Sequence, residues 1–143
     1  MADSIHVVCP RCDAVNRIPA ARPAAAGKCG KCAASLFDGH PVALDTERFR
    51  RHVKSSDIPI IADFWAGWCG PCRAMAPIFE RAAGELEPKA RFVKVDVDAE
   101  PALATEFRIT GIPALIAFKG GREVARHAGV ADLRTLRGMV EQA

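Results

Sequence analysis

Six cysteines in three Cys-x-x-Cys pairs are the residues of this 143-residue chain best suited to chemistry: Cys9/Cys12, Cys29/Cys32 and Cys69/Cys72. All six fall in the first 72 residues, a poor arrangement for stapling a whole fold. In a reducing compartment, paired cysteines read as metal ligands or as redox centres. Sixteen residues separate Cys12 from Cys29, which fits the C-x2-C-x15–20-C-x2-C spacing of a zinc site. Four thiolates match the tetrahedral preference of zinc and leave no open coordination position, so the metal expected here is structural. Pro10 and Gly30 suit tight turns around an ion, and Arg11 and Lys31 can offset the charge of the thiolates. Two local disulfides or an iron site would use the same four residues.

The third pair sits differently. Trp68-Cys69-Gly70-Pro71-Cys72 falls where an apolar run meets a helical pattern. Cys69 is then at a helix N-terminus, where unpaired backbone N–H groups and the helix dipole favour a thiolate. The thiolate is the nucleophile of disulfide exchange. Cys72, one turn further on, can attack the mixed disulfide and release the substrate. Asp63 is the one charged residue in the run Ile58–Ala66. A carboxyl placed there is desolvated, its pKa rises, and it can serve Cys72 as a general base, through a water.

The elements that must hold these groups begin near Leu44. Asp45 caps a short helix to about Ser55. Ile58–Ala66 reads as a central strand buried on both faces. Gly70-Pro71 opens a helix with Met75, Ile78, Phe79, Ala82 and Leu86 at helical spacing, and Pro77 inside it predicts a kink. A strand over Arg91–Asp98, a helix from Pro101 to about Phe107, a hairpin of Ala114–Phe118 and Glu123–His127 around Gly120-Gly121, and a last helix over Asp132–Gln142 follow. Strands alternating with helices predict an α/β fold, a mostly parallel sheet with an antiparallel hairpin at its end. Residues 1–40 contain four cysteines and a stretch, Ala20–Gly27, with no amphipathic period, and are expected to form a separate four-cysteine zinc module held by its metal rather than by a core. Residues 41–143 form the second domain.

Asp63-Phe64-Trp65-Ala66-Gly67-Trp68-Cys69-Gly70-Pro71-Cys72 closely resembles the active-site strand and loop of the thioredoxin family. Gly111-Ile112-Pro113 resembles its cis-proline segment, and Gly129 its late glycine. With the four N-terminal cysteines, the chain resembles the thioredoxin 2 type, which carries an N-terminal zinc module. The resemblance implies the thioredoxin fold, a central mixed sheet flanked by helices, with a small zinc-ribbon-like module. It also implies a redox-active Cys69–Cys72 disulfide, dithiol reduction of protein disulfides and recycling by an NADPH-dependent thioredoxin reductase. It places Pro113, with Ile112, against the redox pair, where they orient substrate backbone, and makes Lys94 the partner of the Asp63 carboxylate. Trp68, Gly70, Pro71 and Gly129 join the expected substrate-facing surface, and Trp65 packs around the site. Gly67 departs from the family, which often carries a larger or charged residue there.

The remaining composition narrows the setting. A formal net charge of +3 with scattered basic residues gives no sign of a nucleic-acid partner. No apolar run is long enough to span a membrane. Met1–His6 lacks the basic and apolar regions of a secretory signal, so a cytoplasmic monomer serving electron transport and redox homeostasis is expected. His6 and His40 read as surface groups, and His52 and His127 as structural or solvated ones. The rival function, a zinc-ribbon scaffold on an inert thioredoxin-like half, needs neither Cys69/Cys72 nor Asp63. A third, in which oxidation ejects the metal, would make the module a sensor.

Overall fold

The computed structural model describes residues 4–143. Met1–Asp3, part of the expected 1–40 module and of the segment read as no signal, lie outside the described residues. The chain begins with an antiparallel hairpin, β1 (Ser4–Val8) and β2 (Val15–Pro19), followed by a 3₁₀ turn at Ala24–Ala26. Then come β3 (Val42–Ala43), α1 (Thr46–Ser55), β4 (Ile60–Trp65), α2 (Gly70–Leu86), β5 (Arg91–Asp96), α3 (Pro101–Glu106), β6 (Ala114–Lys119), β7 (Arg122–Ala128) and α4 (Leu133–Gln142). The sheet order is β3-β5-β4-β6-β7. β3, β5 and β4 run parallel, and β6 and β7 are antiparallel to their neighbours.

Side-chain parity along β4 divides the core in two. Ile61 points to α2 and α4, where it packs with Met75, Phe79, Phe92, Leu115 and Leu136. Ile60, Ala62 and Phe64 point to the opposite face, against Phe49 of α1 and Leu103 of α3. There Phe49 meets Phe64, Phe107 and Phe118 edge-on, with ring centroids 6.2, 5.9 and 5.4 Å away. Both faces are closed, so β4 has no polar alternation, as a central strand requires. Asp45 and Asp132 cap α1 and α4 through their carboxylates, at Arg48 N and Thr135 N, each 2.8 Å away. α2 continues as one helix through Pro77.

Two features differ from the sequence expectation. A two-residue strand, β3, precedes α1 and extends the sheet beyond β5. The N-terminal segment also has a small core after all: Val7, Ile18, Leu36 and Phe37 pack together with Cys9 and Cys29, and Ile58 of the larger part completes the cluster. The segment is docked by polar contacts as well. The Arg91 guanidinium, about 1 % exposed, donates to the carbonyls of Leu36 (2.6 Å) and Val8 (3.3 Å) and to Glu87 (3.3 Å), and lies over the Phe37 ring. Arg48 and His52 of α1 both reach the Asp13 carboxylate, at 2.8 and 3.0 Å. His52 is fully buried and burial holds its pKa down, at about 4, so it stays neutral. His6 pairs with Asp57 and His40 with Glu80 at the surface.

Candidate active site and candidate metal centre

The redox pair is assembled by the turn that joins β4 to α2. Cys69 is the N-cap of α2 and Pro71 falls in its first turn, where a missing N–H costs nothing. Cys69 and Cys72 form a disulfide, with Cα atoms 5.2 Å apart. The Cys72 N–H donates to Cys69 Sγ at 3.2 Å. A Cys69 thiolate that keeps this contact on reduction gains a charge-assisted bond together with the field of a 17-residue helix. Both residues are buried in the disulfide form, with Cys69 4 % and Cys72 2 % exposed. The Ile112 carbonyl lies 3.7 Å from Cys69 Sγ, and the Ile112–Pro113 bond is cis. Gly129 donates its N–H to the Pro113 carbonyl at 2.9 Å and has φ +88°, the left-handed region that glycine takes without strain. The two segments from 111 to 113 and from 128 to 129 thus lie side by side next to the pair.

Asp63 is 1 % exposed and leaves β4 on the face that α2 covers. Burial raises its pKa to about 7, and the Lys94 charge opposes this only in part. Lys94 sits directly across the β4–β5 ladder from Asp63, but its ammonium lies 4.4 Å over the Trp65 ring and forms no ion pair with the carboxylate. Asp63 Oδ1 has no hydrogen-bond partner among the described residues, which leaves it open to a proton or a water. Trp68 is the most exposed large apolar side chain among the described residues, at 69 %, and borders a cleft of about 410 Å³ with Val97, Ile109 and Ile112.

Two groups here were not found from the sequence. Asp98 accepts a hydrogen bond from the Trp68 indole N–H at 2.8 Å. Its position just beyond the C-terminal end of β5, the end of a parallel sheet where sites assemble, is the signal that could have found it. Arg73 donates to the Gly67 carbonyl at 2.7 Å, so its guanidinium lies back along the active-site turn. Nothing local in the sequence marks that contact.

The other four cysteines converge. The Sγ atoms of Cys9, Cys12, Cys29 and Cys32 all lie within 4.8 Å of one another, with Cys9–Cys32 at 3.7 Å and Cys12–Cys29 at 3.6 Å. Tetrahedral zinc with bonds of about 2.3 Å needs sulfurs about 3.8 Å apart, whereas a disulfide needs about 2.05 Å. The spacing therefore fits a metal ion and not two disulfides. Backbone N–H groups of Arg11 and Lys31 point at Cys9 and Cys29 Sγ, each at 3.4 Å. The Cys32 N–H, followed by the Asn16 amide, draws the Cys29 thiol down, whereas the neighbouring thiols help to push Cys12 up, so without a cation the four sulfurs do not share the charge equally. Asp13 and Ala33, the residues after each knuckle, both have φ +66°.

Residues 40–142 match the family model described as Thioredoxin, and residues 8–34 match the one described as Thioredoxin 2, N-terminal. Thioredoxin C-3 of Corynebacterium nephridii is 39 % identical over 91 % of the chain and 88 % of its own length. Thioredoxin 1 of Nostoc is 42 % identical over 66 % of the chain and 88 % of its own length. Among solved structures, a mutant thioredoxin from Halobacterium salinarum superposes with a TM-score of 0.67 at 30 % identity, covering 73 % of this chain and 91 % of that one. A thioredoxin of Plasmodium falciparum gives 0.63 at 30 % identity, covering 69 % and 95 %.

Proposed function

The chain belongs to the thioredoxin family, and from that premise we propose how its residues divide the work. It is a protein-disulfide reductase with a thioredoxin 2 type N-terminal module, and it acts by dithiol exchange. The Cys69 thiolate attacks one sulfur of the substrate disulfide. That bond breaks, a mixed disulfide forms, and the second substrate sulfur leaves as a thiolate that takes up a proton. The Cys72 thiolate then attacks Cys69 Sγ, closes the Cys69–Cys72 disulfide and releases the substrate as a dithiol. Two electrons have moved from the chain to the substrate, and family members regain them from thioredoxin reductase, here with NADPH as their source.

The hydrogen bond from the Cys72 N–H to Cys69 Sγ is the observation that carries this order. It favours negative charge on Cys69, and it does nothing for Cys72. Asp63 is the general base for Cys72, and Lys94 tunes the Asp63 pKa from across the ladder. Trp68, Gly70, Pro71, Ile112, Pro113 and Gly129 form the surface that receives extended substrate backbone.

Cys9, Cys12, Cys29 and Cys32 hold one Zn²⁺, which supplies fold stability to the module and takes no part in sulfur exchange. The module runs to about residue 40 and the catalytic domain from about 41. Four cysteines that must stay reduced to bind metal suit a reducing cytoplasm, where the chain works as a monomeric electron donor in redox homeostasis.

Trapping tests the order. Cys72→Ser should accumulate mixed disulfides with protein substrates on non-reducing gels, and Cys69→Ser should accumulate none. Equal trapping by both variants would overturn the assignment.

A further inference from the structure

The N-terminal module carries a second concave site, far from the cysteines that do chemistry. A cavity of about 390 Å³ opens beside β2, with Ile18 and Leu36 as its apolar floor and Arg17, Arg22 and Lys28 at its rim. Among the described residues, no acidic side chain lines it. The three cations are exposed, and none forms an ion pair among the described residues. Among the described residues β2 pairs only with β1, so its other edge offers unpaired backbone groups short of Pro19, whose carbonyl accepts from the Arg22 N–H, and Val15 at the start of the strand is 41 % exposed. Guarding an open strand edge would account for Arg17 alone. Arg22 and Lys28 come from the segments on either side of the 3₁₀ turn, and edge protection gives no reason for them to converge on an apolar floor.

We propose that this cavity docks an acidic, extended segment of the protein whose disulfide is being reduced. Such a segment adds its backbone to the free edge of β2, and its carboxylates meet Arg17, Arg22 and Lys28. The inference rests on the reading of the chain as a protein-disulfide reductase. Geometry then sets what kind of substrate can use the site. Ile18 and Leu36 pack on Ile58, just before β4, while Cys69 follows the other end of β4. Six strand residues separate the two sites by about 20 Å. A short peptide around the disulfide cannot reach both, whereas a folded protein with an acidic tail can. The docking contributes to substrate capture and leaves the exchange step alone.

The test uses the full zinc-loaded chain and one model protein disulfide in two forms. Each form carries a flexible Gly/Ser linker of about 15 residues, which spans about 20 Å, ending in a run of glutamates or in the same run of glutamines. The glutamate form should show a KM about tenfold lower than the glutamine form at low salt, with equal kcat, as expected for three carboxylate–cation contacts near a surface. The variant Arg17→Gln/Arg22→Gln/Lys28→Gln should erase that difference, and Arg17→Lys/Arg22→Lys/Lys28→Arg should keep it. Should the glutamine variant lose zinc, the decision passes to the unaltered chain, whose glutamate advantage must vanish in about 0.5 M salt. Equal KM values for the two tails, or an advantage that survives salt, would overturn the proposal. So would binding of a DNA duplex that requires the three cations while the tails are read alike. Failure to reduce either form would instead refute the reductase reading.

Discussion

Replacing Asp63 by Asn should make the oxidised protein more stable and the enzyme slower, and the stability gain should grow with pH. Burial raises the Asp63 pKa from 3.8 to about 7, a shift of about 3 units. At 1.36 kcal/mol per unit, the ionised form is penalised by about 4 kcal/mol in the folded state. The folded pKa lies above the unfolded one. The contribution of Asp63 to stability is therefore complete below about pH 3.8 and is lost as pH rises through about 7. Asn carries no such ionisation. The advantage of Asp63→Asn should thus increase by about 2.5 kcal/mol between pH 5 and pH 8, or about 5–10 °C in Tm for a chain of this length. Comparing two pH values cancels any fixed cost of the buried amide. Loss of the base should slow the Cys72 step by about 10²-fold and leave the first attack by Cys69 within a few-fold. Melting curves of the oxidised form at both pH values, with stopped-flow reduction of a disulfide substrate, measure both effects. A stability gain equal at pH 5 and pH 8, or an unchanged resolving rate, would refute the reasoning.

Cys29→Ser should abolish stoichiometric zinc in elemental analysis of the purified protein and lower the stability of the module, because the remaining three thiolates leave the tetrahedral site open; unchanged zinc would rule out the ligand set. Arg91→Ala should destabilise the folded chain by about 3–5 kcal/mol in urea unfolding, because it strands Glu87 and two carbonyls in the interface. Adding Glu87→Gln to that variant should recover part of the loss, and a double variant no better than the single one would show that the buried charge is not the cause.

How much of this was legible in the sequence depended on whether a feature announced itself locally. Asp63 stood out because one carboxyl interrupted a nine-residue apolar run, and the same run fixed β4 as central. The redox turn was visible because Gly70-Pro71 is both a helix opening and a spacer between two thiols. The four N-terminal cysteines were visible as a candidate metal site because their two Cys-x-x-Cys pairs have the spacing of one. The register that puts Lys94 opposite Asp63 needed the structure, and so did the choice of Lys94 to sit on the Trp65 ring. β3 was missed because two residues carry no period. The hairpin of β1 and β2 was hidden because its inward residues, Val7 and Ile18, form a core only with Leu36, Phe37 and Ile58 from distant parts of the chain. Arg91 is the sharpest case. At the start of a strand a lone arginine reads as a solvated end, yet its partners Val8 and Leu36 lie 83 and 55 residues away, and they turn it into the buried tie between the two parts. Its contacts all lie at the end of the sheet remote from Cys69. The tie therefore fixes the module in place without touching the redox pair, and exchange chemistry remains the property of the β4–α2 turn.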